Sequence, residues 1–291
     1  MPKIKNGLFV VATPIGNLGD LSARAQEILT TVDKIACEDT RVTGKLLSRF
    51  SINTPMIVYH DHNAGKIRPG LLADLRHGVA IALVSDAGMP AISDPGYKLI
   101  QACIIENIPL TVIPGANAAL TGLVQSGLPT DRFLFQGYLP VKSGARLSEL
   151  EELSRIPATL IVYESGKRLA RSLADMASVL GARPAAVARE LTKLHEEVRR
   201  GSLAELATSY GAEVAPKGEI VVVIAPPETP PPPNDLELEV MIARRLCYLS
   251  VRDAASEVAQ ITKIPRKALY GLAVRLQHEK DGGGDEEDET G

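Results

Sequence analysis

Apolar and polar positions along this chain switch repeatedly between two periods. Short apolar runs of strand length are followed by stretches whose apolar residues recur three and four apart, as on one face of a helix. The pattern predicts strands over 7–14, 34–38, 56–60, 79–85 and 110–114. The helices between them span 22–30, the segment up to about Phe50, 66–77, a segment opened by Pro95, and 117–126. Proline suits the first helical position, where an N–H would be unpaired in any case. Strands joined through helices imply a mostly parallel sheet, in an α/β domain ending near Pro129.

A second series begins at Phe133. Strands are predicted over 133–140, 159–163, 185–190, 196–201 and 219–225, with helices over 141–155, 167–180 and 203–210. Fewer crossovers separate these strands, which predicts a mixed sheet. The fold class is therefore α/β, with one domain over 1–129 and another over 130–225. Consecutive α/β domains usually meet at a cleft, and ligands favour such places. The segment PPETPPPPND, 226–235, is a proline-rich linker and a semi-rigid spacer. Beyond it, 236–280 reads as a small all-helical unit. Its helices cover 236–249, the segment after a capping box Ser250-Val-Arg-Asp253, and Arg266 to Leu276. Ala254, Ala255, Val258 and Ala259 form the inner face of the middle helix. A short helix, a tight turn and a basic helix fit a helix-turn-helix. A plain three-helix docking module fits the same pattern.

Composition narrows the classes. The chain has 291 residues, no Trp and 4% aromatics, so its core is aliphatic. No apolar run approaches the roughly 20 residues needed to span a bilayer. The start, MPKIKNGLFVVATP, lacks the apolar segment of a secretion signal. Cys37, Cys103 and Cys247 are isolated and lack metal spacing, as in a reduced, cytoplasmic protein. The net charge of −3 conceals an asymmetry. Residues 281–291 carry six acids and no bases and read as a disordered acidic tail. Residues 236–280 carry eight bases against five acids.

Three strand exits rich in Gly and Pro are the richest local signals. They are Thr13-Pro-Ile-Gly-Asn-Leu-Gly-Asp20, Ser85-Asp-Ala-Gly-Met-Pro90 and Ile113-Pro-Gly-Ala-Asn117. The middle one continues to Gly96 with two Pro, two Gly and two Asp after Ser85. Such turns bring main chain close to a ligand at the carboxyl ends of strands. None is GxGxxG or the phosphate loop GxxxxGK[ST], so the common dinucleotide and nucleoside-triphosphate sites are not indicated.

ATPIGNLGDLSARA, ACEDTRVTGKLL, LVSDAGMPAISDPGY, IPGANAAL, GLPTDRFLFQGYLP, YESGKR, ARELTK and KGEIVVVI follow one another between residues 7 and 225. The set resembles the RsmI family of 16S rRNA (cytidine-2′-O)-methyltransferases, in the tetrapyrrole methylase (class III) superfamily. The terminal helical unit resembles that family's helix-turn-helix appendage. The resemblance implies the two-domain tetrapyrrole-methylase fold, S-adenosylmethionine as methyl donor, a homodimer, and methylation of a cytidine ribose in the decoding region of the small ribosomal subunit. It places the donor against Pro14, the loop Asp86, Ala87, Gly88, Met89 to Ile92, the turn Pro114, Gly115, Ala116, and the facing segments around Tyr163 and Lys217. It points to no metal.

The residue chemistry is compatible with such a site. Asp86 can accept from an amine or a ribose hydroxyl. Ala87, Gly88 and Ala116 permit close main-chain approach, and Met89 and Ile92 can pack on an adenine. A ribose hydroxyl is a poor nucleophile while protonated and needs a proton acceptor or a cation beside the developing alkoxide. Asp39 and Glu190 are candidate bases, as is Lys193 if burial lowers its pKa. Arg41, Arg168 and Arg189 at strand exits, with Lys263, Arg266 and Lys267 in the helical unit, are candidate RNA contacts. His60-Asp61-His62 reads as a polar loop. Two other functions stay open: methylation of a tetrapyrrole or other small molecule, and a nucleic-acid-binding protein that senses S-adenosylmethionine without turnover.

Overall fold

The computed structural model describes residues 6–228 and 233–282. They form two compact units, one reaching Pro227 and one beginning at Glu228. In the first unit, β1 (Gly7–Val11), β2 (Lys34–Cys37), β3 (Met56–Val58), β4 (Ala80–Val84) and β5 (Leu110–Ile113) build one sheet in the order β3-β2-β4-β1-β5. Every pairing in it is parallel. The intervening helices are α1 (Ala23–Thr31), α2 (Thr40–Arg49), α3 (Ala64–Arg76) and α4 (Tyr97–Ile105). Phe9 and Val11 pack with Leu29 of α1 and Leu47 of α2, whereas Leu8 and Val10 pack with Leu71 of α3 and Leu99 of α4. Period-two side chains thus fill both faces, which is why β1 and β4 are apolar at every position.

The second sheet contains β6 (Phe133–Tyr138), β7 (Thr159–Ser165), β8 (Pro184–Arg189), β9 (Glu197–Ser202) and β10 (Glu219–Ile224), in the order β6-β7-β10-β8-β9. Only β6 and β7 run parallel, so the sheet is mixed as expected. One face packs on α6 (Ser143–Ser154), α7 (Gly166–Leu180) and α8 (Leu203–Ala212), through Leu150, Leu173 and Leu206. The other face is covered by α5 (Ala118–Ser126), whose Ala119 and Leu123 pack on Ile161, Ala188, Val221 and Val223. Gly122 allows this approach, since a Cβ there would lie 2.9 Å from Val221 Cγ1. The helix that follows the first sheet is therefore part of the core of the second, and the two sheets share one compact unit.

The second unit contains α9 (Asp235–Leu246), α10 (Val251–Thr262) and α11 (Arg266–Gly282) around Leu238, Ile242, Ala254, Ala255, Val258 and Leu269. Ser202 with Glu205 and Asn234 with Glu237 form capping boxes on α8 and α9.

Three local expectations are corrected. Pro95 does not open α4; Gly96 caps it, and its φ of +135° is available only without a Cβ. Ser250 accepts from the Asp253 amide, but the shorter Asp253 side chain takes the Ser250 hydroxyl instead of the cap backbone, so the reciprocal box does not form. Helix α11 continues past Leu276 to Gly282, taking in the first two residues of the expected tail; 283–291 lie outside the described residues, as do 229–232 of the linker. Among the described residues, no helix is long and apolar enough to cross a membrane.

Candidate active site

At the carboxyl end of the parallel sheet, the exits of β1 and β4 are pinned side by side. The Thr13 amide donates to the Gly88 carbonyl at 2.9 Å and the Gly88 amide donates to the Thr13 carbonyl at 3.0 Å. Gly88 holds a φ of +79°, and a Cβ there would press on Ile15 Cγ2 at 3.3 Å. The third exit packs beside them, with Gly115 against Ala12. Asn17, Asp39 and Asn117 each cap the helix that follows their loop, accepting one of its free amides.

Opposite these loops stand Tyr138 of β6, Tyr163 of β7, Glu219 to Val221 of β10, and the turn Glu190–Lys193 after β8. Together they line a cleft that opens to solvent, with about 860 Å³ of empty space when the open mouth is included. Ile15, Met89, Ile92 and Leu191 supply its apolar lining. Tyr163 is set edge-on to Phe135 and Tyr138, with ring centroids 4.9 and 5.7 Å away. Strained backbone concentrates on both walls. Ala91 and Ser93 have φ of +69° and +62°, and Glu190 and Thr192 have +52° and +66°. Non-glycine residues persist in this region only where surrounding contacts hold them.

The cleft is acidic. Asp86, Asp94, Glu190 and Glu219 line it, and Lys193, its one cation among the described lining residues, is paired to Glu190 at 3.0 Å. Burial raises the Asp86 carboxyl, opposed by the hydrogen bond its Oδ1 accepts from the Asp39 amide at 3.1 Å. Burial pushes Asp94 up to about 6; the Ser85 hydroxyl opposes this, while Glu38, Asp86 and Glu219 reinforce it. Burial also pushes the Tyr163 phenol to about 12.

Of the residues singled out in the sequence, Asp86, Ala87, Gly88, Met89, Ile92, Tyr163, Glu190 and Lys193 line this cleft. Gly115 and Ala116 line an adjoining hollow that shares Ile15 and Asn117 with it. Pro14, Pro114 and Lys217 line neither, and Lys217 is exposed. Asp39 also lies outside the lining. Its carboxylate is gripped by the Arg41 guanidinium, whose hydrogen bonds hold it down at about 2. Arg189 pairs with Glu197 at 3.0 Å. Arg168 donates to the Leu139 and Pro140 carbonyls and pairs with Glu164. Lys263 occupies the left-handed cap after α10, and Arg266 and Lys267 are exposed on the first turn of α11. No group of three or more His, Cys, Asp or Glu among the described residues is placed to hold a metal.

Sequence reading missed Ile15, Asp94, Asn117, Tyr138, Leu191 and Glu219. Asp94 carried a signal, as the second Asp of the longest glycine-proline loop. Tyr138 and Glu219 carried none of their own beyond sitting in the quoted runs FLFQGYLP and KGEIVVVI, because they enter the cleft from strands of the second sheet.

Residues 7–207 match the family Tetrapyrrole (Corrin/Porphyrin) Methylases, and residues 232–277 match the RsmI C-terminal HTH domain. The chain is 46% identical over 285 residues to a ribosomal RNA small subunit methyltransferase I from Mesorhizobium japonicum, covering 96% of each chain. It is 50% identical over 271 residues to the protein of the same name from Erythrobacter litoralis, covering 93% of this chain and 95% of that one. Among solved structures it resembles the uroporphyrin-III C-methyl transferase of Thermus thermophilus complexed with S-adenyl homocysteine, with a TM-score of 0.52 and 21% identity over 75% of this chain and 96% of that one. That last likeness speaks to the fold.

Proposed function

This chain belongs to the tetrapyrrole methylase family, and from that premise we propose that it methylates the ribose 2′-hydroxyl of a cytidine in the decoding region of small-subunit (16S) rRNA. It is a methyltransferase that uses S-adenosylmethionine as donor.

The observation that carries the reading is the acidic cleft. A donor that is cationic at sulfur and at its amine suits walls bearing Asp86, Asp94 and Glu219, with the lysine already paired. Ala87 and Gly88 offer main chain to its polar groups, and Met89, Ile92 and Ile15 offer an apolar bed for its adenine. When bound, the donor supplies an activated methyl group, so alignment by the cleft accounts for much of the rate. Lys193, paired to Glu190 at the opposite wall, is the cation that would stabilise a developing alkoxide. Exposed Arg41, Lys263, Arg266 and Lys267 provide phosphate contacts. Arg189, at the end of β8, is paired with Glu197, and Arg168 has its guanidinium occupied by the scaffold. Apolar side chains are exposed at Ile104, Ile105, Val112 and Val124, and a second copy of the chain would cover them in a homodimer.

Small ribosomal subunits lacking the modification, incubated with methyl-labelled donor, should acquire label in 16S rRNA at a single cytidine ribose. Label in a porphyrinoid instead, or donor binding without transfer to rRNA, would overturn this assignment.

A further inference from the structure

Both aromatic residues of the second unit lie outside its core. The packing around Leu238, Ile242, Val258 and Leu269 contains no aromatic ring. Tyr248 and Tyr270, the only Phe, Tyr or Trp residues between 233 and 282, are 69% and 46% exposed. Neither packs against another ring or beneath a cation among the described residues.

Tyr270 stands among bases on α11. Arg266 precedes it by four residues and Lys267 by three, so both are its neighbours on the helix surface. Lys263 lies in the turn just ahead of the helix. All three bases are exposed, and none makes an ion pair among the described residues. The first acid along α11 is Glu279, near its far end. Gly271 completes the patch. Glycine weakens a helix interior, and packing does not require it here, since an added Cβ would meet nothing within 4 Å. Its effect is to leave the flank of the Tyr270 ring bare.

The charge of this patch selects an anionic partner and its ring an aromatic one, and a nucleic-acid strand is both. A helix-turn-helix ordinarily inserts a helix into the major groove of B-form DNA. A duplex of RNA offers no such entry, because its major groove is deep and narrow and a helix with side chains is about 10–12 Å across. RNA is read instead where bases are unpaired and can stack on aromatic side chains.

We propose that α11 captures an unpaired nucleotide of rRNA by stacking its base on Tyr270, with Lys263, Arg266 and Lys267 on the adjoining phosphates. The inference rests on the rRNA reading above and narrows it: the second unit takes single-stranded or loop RNA, not a duplex. The bare flank at Gly271 admits the base, and the hydroxyl of Tyr270 is not needed.

The test titrates the full chain with an unstructured RNA oligonucleotide carrying 2-aminopurine, and with the same strand annealed to its complement. The wild-type protein should bind the unpaired strand more tightly and quench the probe on stacking. Tyr270→Ala should weaken this binding by about 5- to 100-fold, the worth of one stacked base, and abolish the quenching. The slope of log affinity against log salt should not change, because the ring contacts no phosphate. Tyr270→Phe should restore affinity and quenching. Gly271→Leu, a better helix former, should weaken binding with no loss of thermal stability. Wild-type affinity in Tyr270→Ala, a Tyr270→Phe variant no better than alanine, or a duplex bound as tightly as the single strand would each overturn the proposal. So would a change of oligomeric state in Tyr270→Ala with RNA affinity kept, which would assign this face to a second copy of the chain. If the wild-type protein transfers no methyl to rRNA, the rRNA reading and this inference both fall; if it transfers normally and Tyr270→Ala binds RNA as wild type, only the inference does.

Discussion

The backbone amide of Asn17 donates to the Thr192 hydroxyl at 3.1 Å, tying the loop after β1 to the loop after β8 across the rim of the cleft. Thr192 is β-branched yet left-handed, an arrangement that is rare unless neighbours enforce it. Its own amide donates to Glu196, and its side chain with that of Lys193 closes over Gly16. Thr192→Ala removes the bond between the two loops, worth about 0.5–1.5 kcal/mol. Calorimetry should show donor affinity falling by roughly two- to tenfold, while Thr192→Ser, which keeps the hydroxyl, should bind nearly as wild type.

Gly122→Ala sets two effects against each other. Alanine in a helix interior is favoured over glycine by about 1 kcal/mol. Its methyl, however, would stand 2.9 and 3.1 Å from Val221 Cγ1 and Cβ, and overpacking of this kind costs about 1–3 kcal/mol. The clash should win, because the contact is between a helix and a central strand, neither of which can move independently. Chemical denaturation should give a lower midpoint for Gly122→Ala and a lower one still for Gly122→Val. Adding Val221→Ala should recover more than additivity allows.

Most of the architecture could be read from local pattern. The apolar runs of β1, β4 and β10 and the helical periods between them needed no tertiary knowledge, and the exits of β1, β4 and β5 declared themselves through Gly and Pro. The remainder depended on long-range contacts. Nothing in FLFQGYLP indicates that Gly137 receives Ser93 from the other sheet. Asp39 is a candidate base in sequence and Lys217 faces the donor by the family resemblance, but the first is tied to Arg41 and the second is exposed. Pro95 was read as a helix start from its residue type, and the glycine beside it took that place because only glycine tolerates the required φ.

The fold carries the cost of keeping Asp94 enclosed. Its carboxyl rises from an unfolded value of 3.8 to about 6, so between these values the folded chain holds a proton that the unfolded chain has released. Stability therefore falls as pH rises through this window and stays lower above it, by at most about 3 kcal/mol from the size of the shift. Asp94→Asn keeps the shape without the charge. Thermal denaturation should find the variant more stable than wild type at pH 7.5 and indistinguishable from it near pH 3.5. Equal melting at both pH values would mean that Asp94 is solvated in the folded protein.

The second unit permits a test that leaves the cleft untouched. Arg266 and Lys267 lie on the first turn of α11, exposed beside the left-handed cap at Lys263. Contacts of such side chains with phosphate release counterions, so each makes affinity steeper in salt by roughly 0.7–0.9 in the slope of log affinity against log salt. Replacing Arg266 and Lys267 together by alanine should weaken binding to small ribosomal subunits and flatten that slope by about 1.5. Donor affinity should be unchanged, because neither side chain lines the cleft. Binding measured by filter retention across a salt series distinguishes this from a merely structural helical unit, which would lose stability on substitution but keep its salt slope. A double variant with the wild-type slope would remove α11 from the RNA-binding surface and leave the rim of the cleft, with Arg41 and Arg189, as the phosphate-binding region.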